Sequence, residues 1–350
     1  MHTGQMGAAR WTTVGLGAAA LFLANAVCPA TGMELEFPTE NDALLTADPQ
    51  SFYQYVDRNF EGRNSKTWEG GQYGFVRDPR RFGTEIIYTR FHEGIDIRPL
   101  HRSPGGEPQD VVGAIAGGQV VYVNAQPAAS NYGRYVVVQH DWDGCPYFSL
   151  YAHLQTIAVQ VGTRVGPKAP LGVLGYSGEG LNRERAHVHL ELNLMLNAAF
   201  DAWYVRYFPS DPNRHGPYNG MNLDGIDLGR LYPDSQKQPA LTVPEFLARE
   251  ETWYRVRVPA RSGMDILTRY PWLAPSGRPA RAWEISFARS GVPLRFEPAA
   301  DAPNAPVLTW VHPSQFQQGW LTRGYVQGVA PNCTLSKEGM RYLDLICPGD

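Results

Sequence analysis

Short hydrophobic runs alternate with glycine-containing turns between residues 72 and 191. Valine, tyrosine and leucine dominate the runs at 120–123, 135–139, 148–151 and 171–174. Runs of strand length with turn signals between them predict antiparallel hairpins without crossover helices. We therefore expect a mainly β fold whose antiparallel sheet core is a sandwich or a partly open barrel.

The segment before this region has a helical pattern. Asp48 and Pro49 form a helix start, with the aspartate as cap and the proline in the first turn. Phe52, Val56 and Phe60 then recur at i, i+4 and i+8, which predicts one apolar stripe of an amphipathic helix. We expect this helix to dock on the β core. The alternative is a self-inhibitory segment that covers a cleft.

The C-terminal part begins with an aromatic stretch at 198–208, which predicts a short helix or an edge strand. Residues 210–234 are rich in Pro, Gly, Asn and Asp and predict a long loop. Thr242 and Glu245 form a capping box that opens a short helix. Clean alternation at 254–258 and 283–287 predicts strands, so we expect a small β-rich C-terminal module.

The composition and net charge indicate a folded protein and argue against nucleic-acid binding. The 350-residue chain is 43% hydrophobic and 19% charged, which is typical of a folded protein of about two domains. A net charge of −3 indicates that there is no polybasic surface, so we expect no nucleic-acid partner.

The N-terminus has the pattern of an export signal. Arg10 precedes an apolar run at 14–27 that is too short to span a bilayer comfortably. The sequence 24–26 is an A-x-A signature, which predicts cleavage after Ala26, no membrane span afterwards, and a secreted or periplasmic protein. A lipoprotein anchored through Cys28 and an uncleaved anchor are the alternatives.

Four cysteines in an exported chain raise the question of disulfides. Cys333 and Cys347 would close a loop of about 15 residues, a pairing that could contribute about 3 kcal/mol. We predict this pair as a disulfide within the C-terminal module. Five tryptophans of this region could bind glycan or wall peptide, or could form the core of the module; they are Trp253, Trp272, Trp283, Trp310 and Trp320.

Candidate chemistry lies in the stretch from Ala186 to Leu192. On a strand, alternate side chains project to the same face, so His187, His189 and Glu191 would form one row. Two imidazoles and a carboxylate in a row suit a metal ion, although the same pattern also fits a half-exposed polar face.

Two earlier segments add further candidates. His92 and Asp96 are separated by Gly94, which disfavours a helix, so the two side chains would converge through a turn or a strand start. Both residue types are ligands for a divalent ion such as zinc. His153 follows an apolar strand, where a hydrogen-bonded structural histidine is the alternative.

Taken together, these segments resemble the lysostaphin-type (β-lytic) zinc metallopeptidases, which are secreted enzymes that cleave peptides of the bacterial cell wall. The matching motifs are His92-x-x-x-Asp96, Tyr151-Ala152-His153-Leu154 and His187-Val188-His189. Residues 116–120 and 162–178 resemble connecting strands and hairpins of that family. The segments 98–109 and 179–186 depart from its pattern and are expected to border the cleft.

The resemblance implies that His92, Asp96 and His189 bind one Zn²⁺ per chain and leave a fourth position for water. His153 and His187 would then be catalytic, one as the base for the attacking water and the other as the stabiliser of the oxyanion or the acid for the leaving amine. Their two roles stay unassigned between them. Glu191 is a candidate acceptor that fixes a ligand imidazole, or else a surface carboxylate.

From this we expect an exported zinc endopeptidase that hydrolyses peptide bonds in peptidoglycan and acts as a monomer. A non-catalytic wall-binding or regulatory protein on the same fold is the alternative, and a proteinaceous matrix is an alternative substrate. The predicted segments are a signal peptide at 1–26, an N-terminal segment at 27–71, a metallopeptidase domain at 72–208, a linker with a short helix at 209–250 and a β-rich module at 251–350.

Overall fold

The computed structural model describes Met1 and residues 33–46 and 48–349. The predicted signal peptide, its cleavage site and Cys28 lie outside the described residues. No helix within the described part of the chain is both long enough and apolar enough to cross a membrane. The described residues from Met33 onward belong to one compact unit, and the domain boundaries given above stay predictions.

The predicted amphipathic helix is only one turn long. Helix α1 (Pro49–Phe52) is capped as predicted, with the Asp48 side chain accepting a hydrogen bond from Ser51 N at 3.3 Å. Its predicted extension to Phe60 is wrong, because the chain continues as strand β1 (Val56–Phe60) paired with β2 (Arg63–Thr67). Just before β1, Gln54 N donates to Asp96 O at 2.8 Å, and this strand-like pairing prevents helical continuation.

A second antiparallel hairpin leads into the candidate site. It consists of β3 (Gly74–Phe82) and β4 (Glu85–His92), so that β4 ends on the first candidate ligand. The register shifts between Phe75 and Arg77, where β3 has an extra residue. A bulge of this kind changes the direction in which the following side chain points.

The central part of the chain is an antiparallel β structure without crossover helices, as predicted. Its strands are β5 (Ile95–Ile97), β6 (Val111–Gly113), β7 (Gly118–Asn124), β8 (Tyr135–Trp142), β9 (Cys145–Ala152), β10 (Thr156–Ile157), β11 (Arg164–Val165), β12 (Pro170–Val173), β13 (Val188–Met195) and β14 (Leu223–Gly225). Seven of them form one sheet in the order β11-β7-β8-β9-β13-β14, with β5 also paired to β13. A smaller sheet has the order β10-β12-β6.

Strand β13 lies in the middle of this sheet, and all of its residues are buried. Leu190 and Leu192 pack in the large core cluster, together with Val136 and Val138 of β8. The polar residues His189 and Glu191 alternate with them and project from the other face. The predicted alternation of polar and apolar residues on this strand is confirmed.

The C-terminal part contains more helix than the sequence pattern predicted. Its elements are α2 (Phe200–Tyr207), α3 (Leu228–Lys237), α4 (Val243–Leu247), β15 (Tyr254–Pro259), α5 (Ile266–Arg269), β16 (Ala282–Phe287), β17 (Pro293–Ala299), β18 (Val307–Val311), β19 (Val326–Val329), β20 (Asn332–Leu335) and α6 (Lys337–Ile346). A four-stranded sheet has the order β17-β16-β15-β18. The capping box of Thr242 and Glu245 is confirmed, whereas α3 and β14 occupy much of the predicted loop at 210–234.

The predicted disulfide between Cys333 and Cys347 is wrong, since both thiols are free. Cys333 lies on β20, and Cys347 caps the C-terminus of the ten-residue helix α6. The prediction considered only the number of residues between the two cysteines, and these residues form the end of a strand and a helix rather than a loop.

The five tryptophans of this region have different environments. Trp283 is 8% exposed and belongs to the core, as one of the two interpretations expected. Trp310 is exposed and lines a cavity of about 820 Å³ beside β18, and the other three are half-buried. The predicted fold class is confirmed: the protein is mainly β, and its antiparallel sheets are open.

Candidate active site

The final histidine pair lies at the start of β13. His187 bridges to Gly175, and His189 pairs with Ala152 of β9 on one side and with Asp96 of β5 on the other. Because β5 and β9 flank the same strand, the sheet brings a residue of the first motif directly beside the last. Strand pairing therefore assembles the site from segments that are nearly a hundred residues apart.

The turn between β4 and β5 brings His92 next to Asp96. His92 Nε2 lies 3.1 Å from Asp96 Oδ1. The intervening Gly94 passes so close to β13 that a Cβ atom there would lie 2.3 Å from Leu190 O. Only glycine allows this approach without displacement of one of the two segments. The predicted convergence through a turn is what the structure shows.

Three predicted residues form a compact donor set. One ligand atom each of His92, Asp96 and His189 lies within 4.8 Å of the others, and all three residues are buried. His189 Nδ1 is 2.9 Å from Asp96 Oδ1 and 3.0 Å from His92 Nε2. Two imidazole nitrogens and a carboxylate oxygen are suitable ligands for zinc, and three protein ligands leave room for a fourth.

In both histidines of the donor set, the ring nitrogen that points away from the cluster has its own partner. His92 Nδ1 lies 2.7 Å from Gln72 O, and His189 Nε2 lies 2.7 Å from Glu191 Oε1. These contacts fix the tautomers that direct His92 Nε2 and His189 Nδ1 into the cluster. The donor set therefore fits a divalent metal ion.

Glu191 is not a surface carboxylate, because it is fully buried. Besides His189, its carboxylate accepts hydrogen bonds from the Tyr132 hydroxyl at 2.7 Å and from Asn193 Nδ2 at 3.0 Å. Burial opposes its ionisation, but the hydrogen bond from His189 and the charge of that ring lower the pKa of Glu191. Its contacts fit the outer acceptor role that the sequence left open.

The two predicted catalytic histidines lie beside the donor set. Their ring centroids are 4.8 Å apart, and His187 Nε2 is 3.4 Å from Asp96 Oδ1. His153 directly follows β9 with a φ of +62°, a strained backbone conformation held by its hydrogen bond from N to Tyr132 O. Strain of this kind persists where the surrounding structure fixes it, often at functional sites.

Both of these rings bond to backbone through Nδ1. His153 Nδ1 lies 2.9 Å from Ser177 O, and His187 Nδ1 lies 2.7 Å from Arg185 O. A carbonyl can only accept, so each neutral ring carries its proton on Nδ1 and leaves Nε2 as a free base. The pair can therefore accept and return protons at Nε2.

Electrostatics at the donor set favours a cation. Burial opposes the charge on Asp96, but the surrounding histidines and then Arg77 hold its pKa well below the usual value. Burial lowers the pKa of His92, and it lowers that of His153 even further. In His189, hydrogen bonds to Asp96 and Glu191 outweigh burial and raise the pKa to about 10. A divalent ion would take the place of the proton that His189 holds between two carboxylates.

Two contacts of the site were missed by sequence reasoning. Arg77 binds Asp96 Oδ2 at 2.7 Å, and Tyr132 binds Glu191 from the loop before β8. Neither residue belongs to a motif, and neither has a periodicity that could have indicated it. The other histidines among the described residues do not join the cluster. His140 and His215 are buried elsewhere in the fold, and His101 and His312 pair with exposed carboxylates.

The segments 98–109 and 179–186, which differ from the pattern of the resembled family, lie against each other beside the last histidine pair. Arg102 donates to Arg183 O at 2.7 Å, and Tyr176 donates to Glu107 at 3.2 Å. Since Arg185 O accepts from His187 Nδ1, the segment at 179–186 leads directly into the site. The expectation that both segments border a cleft is compatible with these contacts.

Comparison with known proteins finds several solved structures with local similarity to this chain. Solved structures with similarity include a zinc-containing peptidase from Vibrio cholerae, with 21% identity over 41% of this chain and 36% of that chain and a TM-score of 0.25. This chain thus spans about a third of that protein. The catalytic domains of lysostaphin from Staphylococcus simulans and of the prophage-encoded M23 protein EnpA from Enterococcus faecalis each share 22% identity over 39% of this chain and 79% of theirs, with TM-scores of 0.25.

Comparison with curated proteins gives no match. The model of peptidase family M23 matches residues 90–201, the segment that holds all five predicted metal and catalytic positions. The predicted resemblance to the lysostaphin-type metallopeptidases is therefore confirmed by the match of residues 90–201 to the model of peptidase family M23.

Proposed function

We propose that this protein is an exported zinc-dependent endopeptidase that hydrolyses peptide bonds of cell-wall peptidoglycan. The observation that carries the proposal is the convergence of His92, Asp96 and His189 in one buried donor set. Each ligand atom faces the cluster because the opposite atom of its side chain is held by another group. The substrate class rests on the resemblance to the peptidase family, and export rests on the signal pattern at 1–26.

The chain's own residues account for the proton transfers of hydrolysis. When bound, zinc supplies Lewis acidity to a carbonyl and to water. His153 and His187 are each held by a backbone carbonyl through Nδ1. One Nε2 accepts a proton from the attacking water, and the other ring, after its Nε2 has taken up a proton from solvent, donates to the oxyanion or to the leaving amine. Their matching geometry leaves the order of the two roles to experiment.

The experiment uses purified protein incubated with sacculi, with and without a chelator, and analyses the released peptides by mass spectrometry. We expect release that stops on chelation and returns with zinc. His153→Ala and His187→Ala are expected to keep the metal and lose release. The control His101→Ala changes an exposed histidine outside the site and is expected to behave like the parent.

Two results would contradict the proposal. Release that is indifferent to chelation would exclude the metal mechanism. Binding to sacculi without any released peptide would instead indicate the non-catalytic wall-binding protein. Release from a protein matrix but not from sacculi would keep the chemistry and change the substrate.

A further inference from the structure

Arg77 contacts the buried carboxylate of the donor set from outside the family segment. Its Nη2 lies 2.7 Å from Asp96 Oδ2, and its Nε donates to Gly70 O at 2.9 Å. The guanidinium is therefore held at two points through separate nitrogens of its planar fork, a fixed donor geometry that a lysine ammonium lacks. The Asp96 side chain is only 5% exposed, so this contact is largely shielded from water.

The two oxygens of Asp96 have separate partners as a result. Oδ1 faces His92 Nε2 at 3.1 Å and His189 Nδ1 at 2.9 Å. Oδ2 faces Arg77. An aspartate can bind a metal ion through one oxygen or through both. With Oδ2 engaged by Arg77, Asp96 offers only Oδ1 to the cluster.

The local backbone is built to direct Arg77 toward Asp96. The register of β3 against β4 shifts between Phe75 and Arg77, so Arg77 pairs with Arg90 where regular pairing would give Thr89. A bulge redirects the side chain that follows it. Charge alone gives no reason for an arginine here, because a cation beside a cation site weakens the binding of a divalent ion. Control of the orientation of the Asp96 carboxylate does give a reason for an arginine at this position.

We propose that Arg77 is a positioning residue that restricts Asp96 to one metal-facing oxygen and so keeps a coordination position open for water or substrate. This inference rests on the proposed function, since it assumes that a divalent ion binds the donor set. Arg77 lies before residues 90–201, which are the part of the chain that matches the family model. Removal of Arg77 frees the second oxygen and closes the open position.

The test compares R77M, R77K and the control R90M with the parent, each loaded with Co²⁺ in place of zinc. R90M is the matched control because Arg90 lies opposite Arg77 on the neighbouring strand and is exposed. The readouts are metal per chain, the visible absorption spectrum of Co²⁺, and peptide release. Visible absorption of Co²⁺ weakens as its coordination number rises.

We expect the parent and R90M to bind one Co²⁺ per chain with the same spectrum. R77M should also bind one Co²⁺, but with a weaker visible band and with peptide release reduced by about 10–100-fold. R77K keeps the charge but loses the planar fork that contacts Asp96 and Gly70 O together, so both of its readouts should lie between those of R77M and the parent.

A folded R77M with the spectrum and activity of R90M would overturn the proposal. So would a folded R77M that no longer holds the metal, since Arg77 would then act on binding itself. If R77M does not fold, R77K decides: a parent-like spectrum overturns the proposal, and a weakened band supports it. Absence of metal from the parent and R90M would refute the proposed function instead.

Discussion

Replacement of Glu191 by glutamine tests the outer support of the donor set. The substitution keeps the size of the side chain and removes its charge. The new amide oxygen can still accept from His189 Nε2 and from the Tyr132 hydroxyl, which both lie 2.7 Å from Glu191 Oε1 in the parent. The amide nitrogen would face Asn193 Nδ2, which donates to Glu191 at 3.0 Å in the parent. Because two donors cannot bond to each other, one hydrogen bond is lost, and the fold should remain.

The expected effect is mainly on metal binding. A hydrogen bond to a charged group contributes about 1.5–3 kcal/mol and a neutral one about 0.5–1.5 kcal/mol. Neutralising Glu191 should therefore cost the His189 contact about 1–1.5 kcal/mol, and each 1.4 kcal/mol corresponds to a factor of about ten in affinity. We expect Glu191→Gln to bind zinc about tenfold more weakly than the parent, because a less polarised imidazole is a poorer ligand.

The assay is competition for zinc against a chromophoric chelator at fixed pH, followed by peptide release at saturating zinc. Glu184→Gln is the matched control, since Glu184 is an exposed carboxylate in the segment before β13. Equal zinc affinities for Glu191→Gln, Glu184→Gln and the parent would refute the reasoning. Glu191 would then be a buried acceptor without influence on the metal ligand.

Two further predictions concern the turn before β5 and the buried carboxylate of β14. Gly94→Ala should reduce zinc affinity and lower the free energy of unfolding by about 1–3 kcal/mol, because the new Cβ would lie 2.3 Å from Leu190 O. Denaturant unfolding of the apoprotein measures this loss, and an unchanged midpoint would contradict the prediction. Burial raises the pKa of Asp224 to about 6 in the folded protein, against the ordinary value of 3.8. The folded state therefore binds the proton of Asp224 more tightly, so the contribution of Asp224 to the free energy of unfolding is fully present below about pH 4 and is lost as the pH rises through about 6, by on the order of 3 kcal/mol. Asp224→Asn should lack this fall, and parallel curves of unfolding free energy against pH for the two proteins would contradict the assignment.

The resemblance to the metallopeptidase family implied the donor set, and two local properties of the sequence, strand alternation and a turn, supported parts of it. His189 and Glu191 share a face as the two-residue period requires, and Gly94 allows the turn that joins His92 to Asp96. Arg77 could not be predicted, since its contact depends on the register of a hairpin and on a bulge within it. Pairing between strands is a tertiary property, which no local pattern reveals.

The incorrect predictions share a physical cause. The helical spacing of Phe52, Val56 and Phe60 was overridden when the chain after α1 paired with β5 through Gln54 and Asp96. The Cys333–Cys347 prediction considered loop length and not loop structure. In fact Ser336 caps α6 by accepting from Gly339 N at 2.9 Å, and this helix contains most of the residues between the two cysteines.

The turn that holds His92 and Asp96 is also supported from the C-terminal part of the chain. Arg323 lies between Asp224 Oδ1 at 3.1 Å and Glu93 Oε1 at 3.3 Å, and its guanidinium lies over the Phe91 ring at 4.9 Å. Phe91 and Glu93 are the two neighbours of His92 in the chain. A cut at the predicted boundary near residue 250 would thus leave the buried carboxylate of Asp224 without its cation, a loss that costs about 3–5 kcal/mol in a buried pair. The C-terminal residues therefore support the turn between β4 and β5.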